Sequence, residues 1–398
     1  MISLRNLFLQ HVAQTSETPI GLEVERAEGI YIFDHSGRGY LDLISGVSVS
    51  SIGHCNPMVV DAVRSQAEKY MHLMVYGEYI QAPQVEYAKE LTNLLPSSLS
   101  QVYFVNSGSE ANEGALKLAK RFTGRTELVG FVNAYHGSTH GALSMMGDEG
   151  FKNAFRPLLP DTRHLPFNDI ESLNQITSRT AAVLVEPIQG EAGAIVPTHK
   201  FLVALRNKCT ETGALLIFDE VQTGFGRTGS LFAFQKLGVV PDIFTIAKGM
   251  GGGMPIGAFV SSKEIMECLK SNPILGHITT FGGHPVSCAA ALATLRVLVE
   301  NSYIEEVDSK EILFREQLIH PLIKEIRGIG LLLAVELGDA AMVQKVIRAC
   351  FDRGIILDWF LFCDTAFRIA PPLIITKEQI ASVCKTILEA LDEVNGQL

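Results

Sequence analysis

The chain has 398 residues, 47% of them hydrophobic and 19% charged, with 33 Lys plus Arg against 43 Asp plus Glu and a formal charge of −10. That composition is far from the apolar-poor, highly charged corner where chains stay disordered, and its acidic balance leaves no basic excess to neutralise a nucleic-acid backbone. Wholly apolar runs such as 331–335 and 214–218 fall far short of the ~20 residues of a membrane-spanning helix. Residues 1–10 carry one basic side chain, no long apolar stretch and no A-x-A site, so a cytoplasmic protein is expected, with neither nucleic acid nor membrane as partner. The seven cysteines are scattered singly, which argues against a disulfide framework or a zinc knuckle.

In chain order, the first clear strand covers 101–105 and runs through a small turn into a helix over 111–122, with Ala115, Leu118, Ala119 and Phe122 on one face. Further β-branched runs at 127–131, 181–185, 214–218 and 243–247 read as buried strands, and 199–212 reads as an amphipathic crossover helix. Strands alternating with helices predict an α/β fold with a mostly parallel sheet between helices. A long helix over 286–300, with Pro285 near its first turn, leaves that sheet. Beyond it, a helix near 310–320, a strand at 331–336 and a last helix opened by the capping-box pattern Thr376-Lys-Glu-Gln379 predict a smaller α+β domain.

Ligands of open α/β sheets bind beyond the carboxyl ends of strands, so polar residues that terminate apolar runs carry the most information. Ser107, Gly108 and Ser109 follow the first strand and open a helix, where free N–H groups can cradle a phosphate. Tyr135 and His136 follow the second strand, in position to stack on a flat ligand. Asp219 ends the run Leu215 to Phe218, and a buried carboxylate needs a cationic or hydrogen-bonding partner such as a pyridinium nitrogen. Lys248 ends the next run beside a glycine-rich backbone and is a candidate Schiff-base former. Singly these readings compete with a plain helix cap, a core aromatic and a surface lysine. Together, in that order, they match the needs of pyridoxal 5'-phosphate.

Seven motifs extend the pattern: Asn106-Ser-Gly-Ser-Glu-Ala-Asn-Glu113, Tyr135-His-Gly137, Val185-Glu-Pro-Ile-Gln-Gly-Glu191, Phe218-Asp-Glu-Val-Gln-Thr-Gly-Phe-Gly-Arg-Thr-Gly229, Ala247-Lys-Gly-Met-Gly-Gly-Gly253, Thr279-Thr-Phe-Gly-Gly283 and Arg368-Ile-Ala-Pro-Pro-Leu373. From about residue 21 to 391 the chain resembles the class III aminotransferases, the group of the acetylornithine, ornithine and 4-aminobutyrate enzymes. The resemblance implies a fold-type I pyridoxal-phosphate transferase, with a large domain over 50–290 and a small one built from 1–49 and 291–398. It implies that Lys248 holds the aldehyde carbon, Asp219 the ring nitrogen and Gln222 the phenolic oxygen, with Tyr135 and Val221 sandwiching the ring. Gly108 and Ser109 would hold the phosphate, joined by Thr280 from the other subunit of a homodimer with shared sites, and Glu186 would lie near the polar edge. Glu191 and Arg368 would form a switch in which the arginine binds a substrate carboxylate or, without one, pairs with the glutamate. The implied reaction passes an amino group from an amine or ω-amino acid to 2-oxoglutarate in a ping-pong cycle.

Two positions depart from the family pattern. Ser138 stands where amino-acid-specific members often have a carboxylate-binding arginine, and His284 stands where asparagine is common. Residues near Val47 and Met74 are expected by the donor pocket. A decarboxylase or aminomutase would use the same cofactor, and the Glu191 and Arg368 pair favours transamination over both. A binding protein that kept only the fold would be expected to lose Lys248. Gly224-Phe-Gly-Arg-Thr-Gly229 matches the dinucleotide fingerprint G-x-G-x-x-G, but it follows a loop deep in the chain instead of the first strand of a βαβ unit. His136 and His140 have metal-compatible spacing with no third ligand in sight, so no metal is expected.

Overall fold

The structure, a computed structural model, describes residues 3–396. Near its start β1 (Val24–Glu28), β2 (Tyr31–Asp34) and β3 (Gly39–Asp42) form an antiparallel meander. Asp34 Oδ1 shapes the second turn by accepting from the amides of Ser36 and Arg38 at 2.9 and 3.0 Å, an aspartate side chain standing in for a backbone turn.

Just beyond β3, four consecutive residues, Ser45, Gly46, Val47 and Ser48, have left-handed φ values of 52°, 57°, 65° and 64°. Each non-glycine there costs roughly 1–2 kcal/mol, so the turn must be held by its surroundings. Asp42 Oδ1 accepts the amides of Ile44 and Ser45 at 2.9 and 2.8 Å, and Ser45 Oγ donates to the Ala370 carbonyl at 2.7 Å. The turn thereby ties the meander to the chain just after Arg368 and carries Val49 to the wall of a cavity.

The central sheet contains β4 (Gln101–Val105), β5 (Glu127–Phe131), β6 (Thr162–Leu165), β7 (Thr180–Val185), β8 (Leu215–Asp219), β9 (Ile243–Ile246) and β10 (Gly257–Ser261), in the order β4-β10-β9-β8-β7-β5-β6. β10 runs antiparallel to both of its neighbours, and the other strands are parallel to one another. Strands buried on both faces read as unbroken apolar runs, which is why β5, β7, β8 and β9 stood out while the half-polar β6 did not. Helices Gly108–Thr123 and His199–Thr212 end at Gly124 and Gly213, whose φ values of 69° and 70° make left-handed caps. Phe122, expected on the buried face of the first of these helices, is instead 38% exposed in its last turn.

Helix Pro285–Glu300 is buried along almost its whole length against helices Pro57–Lys69 and Ala82–Asn93. The helix expected over 310–320 lies three residues earlier, at Val307–Gln317, because His320 precedes Pro321 and the residue before a proline disfavours helical backbone. In the C-terminal part, β11 (Glu325–Ile329), β12 (Leu332–Glu336), β14 (Trp359–Phe360) and β15 (Cys363–Ile369) form an antiparallel sheet in the order β11-β12-β15-β14. The short β13 (Ile355–Ile356) joins β3 in parallel, so the two ends of the chain share a sheet. The last helix, Lys377–Asn395, opens with the reciprocal Thr376 and Gln379 cap. Among the described residues no helix is long and apolar enough to cross a membrane.

One feature of β6 makes stability pH-dependent. His164 Nε2 is buried without a hydrogen-bond partner, and burial, aided by the Lys152 ammonium, pushes the imidazole pKa down to about 4. An unfolded histidine takes its proton near pH 6.5, so stability present above that pH is lost as the pH falls from about 6.5 toward 4. Urea unfolding at pH 7 and pH 5 should show the native protein losing on the order of 2 kcal/mol more than His164→Gln over this interval. Equal losses would place the titration elsewhere.

Candidate active site

The carboxyl ends of β4, β5, β7, β8 and β9 open onto one cavity of about 660 Å³, and residues following each of them line it. At the β4 end, Ser107 caps helix Gly108–Thr123 by accepting from the Glu110 amide at 3.1 Å. The amides of Gly108 and Ser109 come next, at helix positions that have no partner within the helix and suit an anion. A Cβ on Gly108 would lie 2.7 Å from Val221 Cγ1, so only glycine lets Val221 close over this end. Gly137, with φ of 123°, is equally constrained, because a Cβ there would meet Ser109 Oγ at 2.2 Å.

Asp219, at the end of β8, is 4% exposed and accepts three hydrogen bonds. Its Oδ2 takes His136 Nδ1 at 2.7 Å and Asn112 Nδ2 at 2.8 Å, and its Oδ1 takes the Val221 amide at 3.0 Å. Asn112 is oriented in turn by Thr245 Oγ1, which donates to Asn112 Oδ1 at 2.8 Å, and by its own donation to the His136 carbonyl at 2.8 Å. His136 is therefore a support of Asp219, beside Tyr135 at the cavity wall. The sequence reading passed over Asn112 and Thr245. A polar side chain one turn after the Gly108 cradle, on a face otherwise lined by Ala111, Ala115 and Ala119, was the available signal.

Glu186, after β7, accepts the amides of Tyr135 and Gly190, both at 2.9 Å. Burial, with the Asp219 charge adding and His136 opposing, pushes its carboxyl up to about 7. Gln222 Nε2 is buried with no protein acceptor, and a Cβ on Gly190 would stand 1.8 Å from Gln222 Oε1. An unmet buried donor at the edge of a cavity suits an oxygen of a bound molecule. Lys248 follows β9 with φ of 48°, left-handed for a non-glycine, a strained conformation of the sort that clusters at functional sites. Burial lowers its pKa, against the pull of Glu191.

Arg368 on β15 is 1% exposed. Its Nη2 donates to Glu191 Oε2 at 2.8 Å, its Nε lies 3.3 Å from Asp358 Oδ1, and its Cζ sits 4.6 Å from the centre of the Phe360 ring. Glu191 Oε2 also accepts the Leu361 amide at 3.2 Å. The two residues expected as a pair are thus in contact, and Asp358 is a third charged member that the sequence reading did not include. Val49, two residues beyond Val47, lines the cavity, and no residue near Met74 does. Thr280 is exposed on the loop before helix Pro285–Glu300 and does not line the cavity of its own chain. The Gly224 to Gly229 stretch opens no helix: Arg227 within it is fully buried, donating to the carbonyls of Leu331 and Pro371 at 3.0 and 2.5 Å. It is a packed loop, unlike a dinucleotide-binding turn.

The site therefore offers an anion cradle, a buried carboxylate, an unmet amide donor, apolar and aromatic walls and a strained lysine, with a guanidinium between two carboxylates nearby. A family model described as Aminotransferase class-III matches residues 12–391. The chain is 41% identical over 381 residues to an acetylornithine aminotransferase of Methanocaldococcus jannaschii, covering 92% of each. It is 41% identical over 385 residues to a putrescine aminotransferase of Pectobacterium atrosepticum, covering 92% of this chain and 81% of the relative. A transaminase structure from the marine bacterium Virgibacillus superposes with a TM-score of 0.93 at 28% identity, covering 99% of both chains.

Proposed function

Because the chain belongs to the class III aminotransferases, we propose that it transfers an amino group from a primary amine or ω-amino acid to 2-oxoglutarate in a ping-pong cycle on pyridoxal 5'-phosphate, as a cytoplasmic homodimer with shared active sites. The observation that carries this reading is the meeting of five strand ends at one cavity, with an unmet Gln222 donor, a three-fold hydrogen-bonded Asp219 and Lys248 around it.

The residues fit that cofactor. Gly108 and Ser109 would hold the phosphate through their amides, with Thr280 of the partner subunit. Gln222 would donate to the phenolic oxygen, Asp219 would pair with the ring nitrogen, Tyr135 and Val221 would cover the ring, and Lys248 would hold the aldehyde carbon. When bound, the cofactor supplies a carbonyl that takes up the amino group and a ring that draws electrons from the substrate carbon. Asp219, fixed by His136 and Asn112, would present a carboxylate oxygen to the ring nitrogen. Lys248, its ammonium disfavoured by burial, would move a proton at Nζ between the substrate carbon and the aldehyde carbon that it had held, as a general base and then a general acid. Arg368 receives the acceptor's carboxylate, and Glu191 neutralises the guanidinium when the donor lacks that group.

A panel of primary amines and ω-amino acids with 2-oxoglutarate, scored by glutamate formed, tests the reaction. At least one amine should give glutamate in parallel-line initial-rate plots. Absence of glutamate with every amine, or a strong preference for pyruvate throughout, would sink the acceptor assignment.

A further inference from the structure

Glu191 lies on a tight hairpin whose backbone is held on both sides. At its base Gln189 and Ile195 exchange amide hydrogen bonds of 3.0 Å, and the Gly190 carbonyl accepts the amides of Gly193 and Ala194 at 3.1 Å. On one side the Glu191 carbonyl accepts the Phe362 amide at 3.0 Å, while its carboxylate takes the Leu361 amide and Arg368. On the other side Arg327 Nε, on β11, donates to the Gly193 carbonyl at 3.1 Å.

The Arg327 guanidinium touches both segments that meet at Glu191. Its Nη2 lies 3.3 Å from the sulfur of Cys363, the residue after Phe362, and donates to Glu336 Oε2 at 2.9 Å, while Nη1 lies 3.4 Å from Glu325 Oε2. Gly193, with φ of 92°, leaves no room for a Cβ, which would stand 2.7 Å from Arg327 Nη2 and 3.0 Å from Cys363 Sγ. One planar fork, anchored by two carboxylates, thus clamps the Glu191 hairpin against β15, the strand that carries Arg368. Arg327 does not line the cavity, so it acts through Glu191 and not on a substrate.

We infer that Arg327 is a positioning residue that sets how firmly the Glu191 and Arg368 pair stays closed, and so what fraction of the protein is ready to receive a carboxylate. The inference rests on the reading of Arg368 above and adds the residue that tunes it. Two groups held in register before they meet lose less conformational entropy on pairing. A carboxylate ligand of Arg368 binds only molecules in which the pair is open, so its apparent Kd is the intrinsic one divided by the open fraction. Loosening the hairpin weakens the pair, enlarges that fraction and tightens the ligand's hold. Loss of a positive charge by itself has the opposite sign and weakens an anion.

The test is calorimetric titration of the holoenzyme with glutarate, a dicarboxylate with no carbonyl to react. Native protein, Arg327→Met, Glu191→Gln, the double variant and Arg368→Ala are compared. Methionine keeps much of the packing of the arginine stem and removes every donor. Stoichiometry counts the folded sites, so a partly misfolded variant shows fewer sites and leaves Kd readable. Kd for glutarate should fall roughly threefold or more in Arg327→Met. On the Glu191→Gln background the same substitution should move Kd by less than about twofold. An unchanged or raised Kd in Arg327→Met, or an equal fall on the Glu191→Gln background, would overturn the role of Arg327. Arg368→Ala should weaken glutarate in the same series; binding equal to native there would overturn the carboxylate site itself, and the role of Arg327 with it.

Discussion

Lys248→Ala should lower turnover by about 10³-fold or more, with the protein still folded. General acid–base catalysis by a positioned side chain contributes about 10² to 10⁴, and Lys248 is proposed both to hold the cofactor and to move the proton, so the larger part of that range applies. Its backbone supports the same view: left-handed φ at a non-glycine strand end costs roughly 1–3 kcal/mol that the surrounding packing must offset. Alanine at 248 retains the strain and loses the amine. Single-turnover measurement of the donor half-reaction separates this effect from weakened amine binding. Turnover within tenfold of native would mean that another group carries the proton.

The second large effect is expected at Arg368. Removing one partner of a buried, hydrogen-bonded charge pair costs roughly 2–5 kcal/mol, equivalent to a roughly 30- to 4,000-fold weaker hold on the acceptor. Arg368→Ala would lose the proposed site for the acceptor's carboxylate and also strand Glu191, left with the Leu361 amide at 3.2 Å as its side chain's remaining donor. The loss should fall on KM for 2-oxoglutarate, and the donor half-reaction should suffer much less. An acceptor KM within about threefold of native would remove the switch, leaving the cofactor assignment intact.

These predictions rest on residues of unequal legibility. Asp219 and Lys248 could be read directly, because each breaks an apolar strand and a buried charge at such a point needs a partner. The fold class was visible for the same reason, in the apolar runs of β5, β7, β8 and β9. β10 was not, since nothing in Gly-Ala-Phe-Val-Ser tells an antiparallel strand from a parallel one; its direction follows from pairing with β4 and β9. Asn112 was hidden because it acts through Asp219, 107 residues away. Asp358 was hidden because it lies between the two-residue strands β13 and β14, where no period operates, and acquires meaning only beside Arg368. The left-handed turn at Ser45 to Ser48 runs against local preference. It exists through Asp42 and Ala370, which no local reading connects.

Lys248 is proposed to hold pyridoxal phosphate covalently at the cavity where the strand ends meet. Reduction of the purified holoprotein with borohydride, followed by proteolysis and mass spectrometry, tests it most directly. The yellow absorption should be lost, and one phosphopyridoxyl group per chain should be found on the peptide containing Lys248. A reduced cofactor on any other lysine, or a protein that binds pyridoxal phosphate and yields no modified peptide, would contradict it.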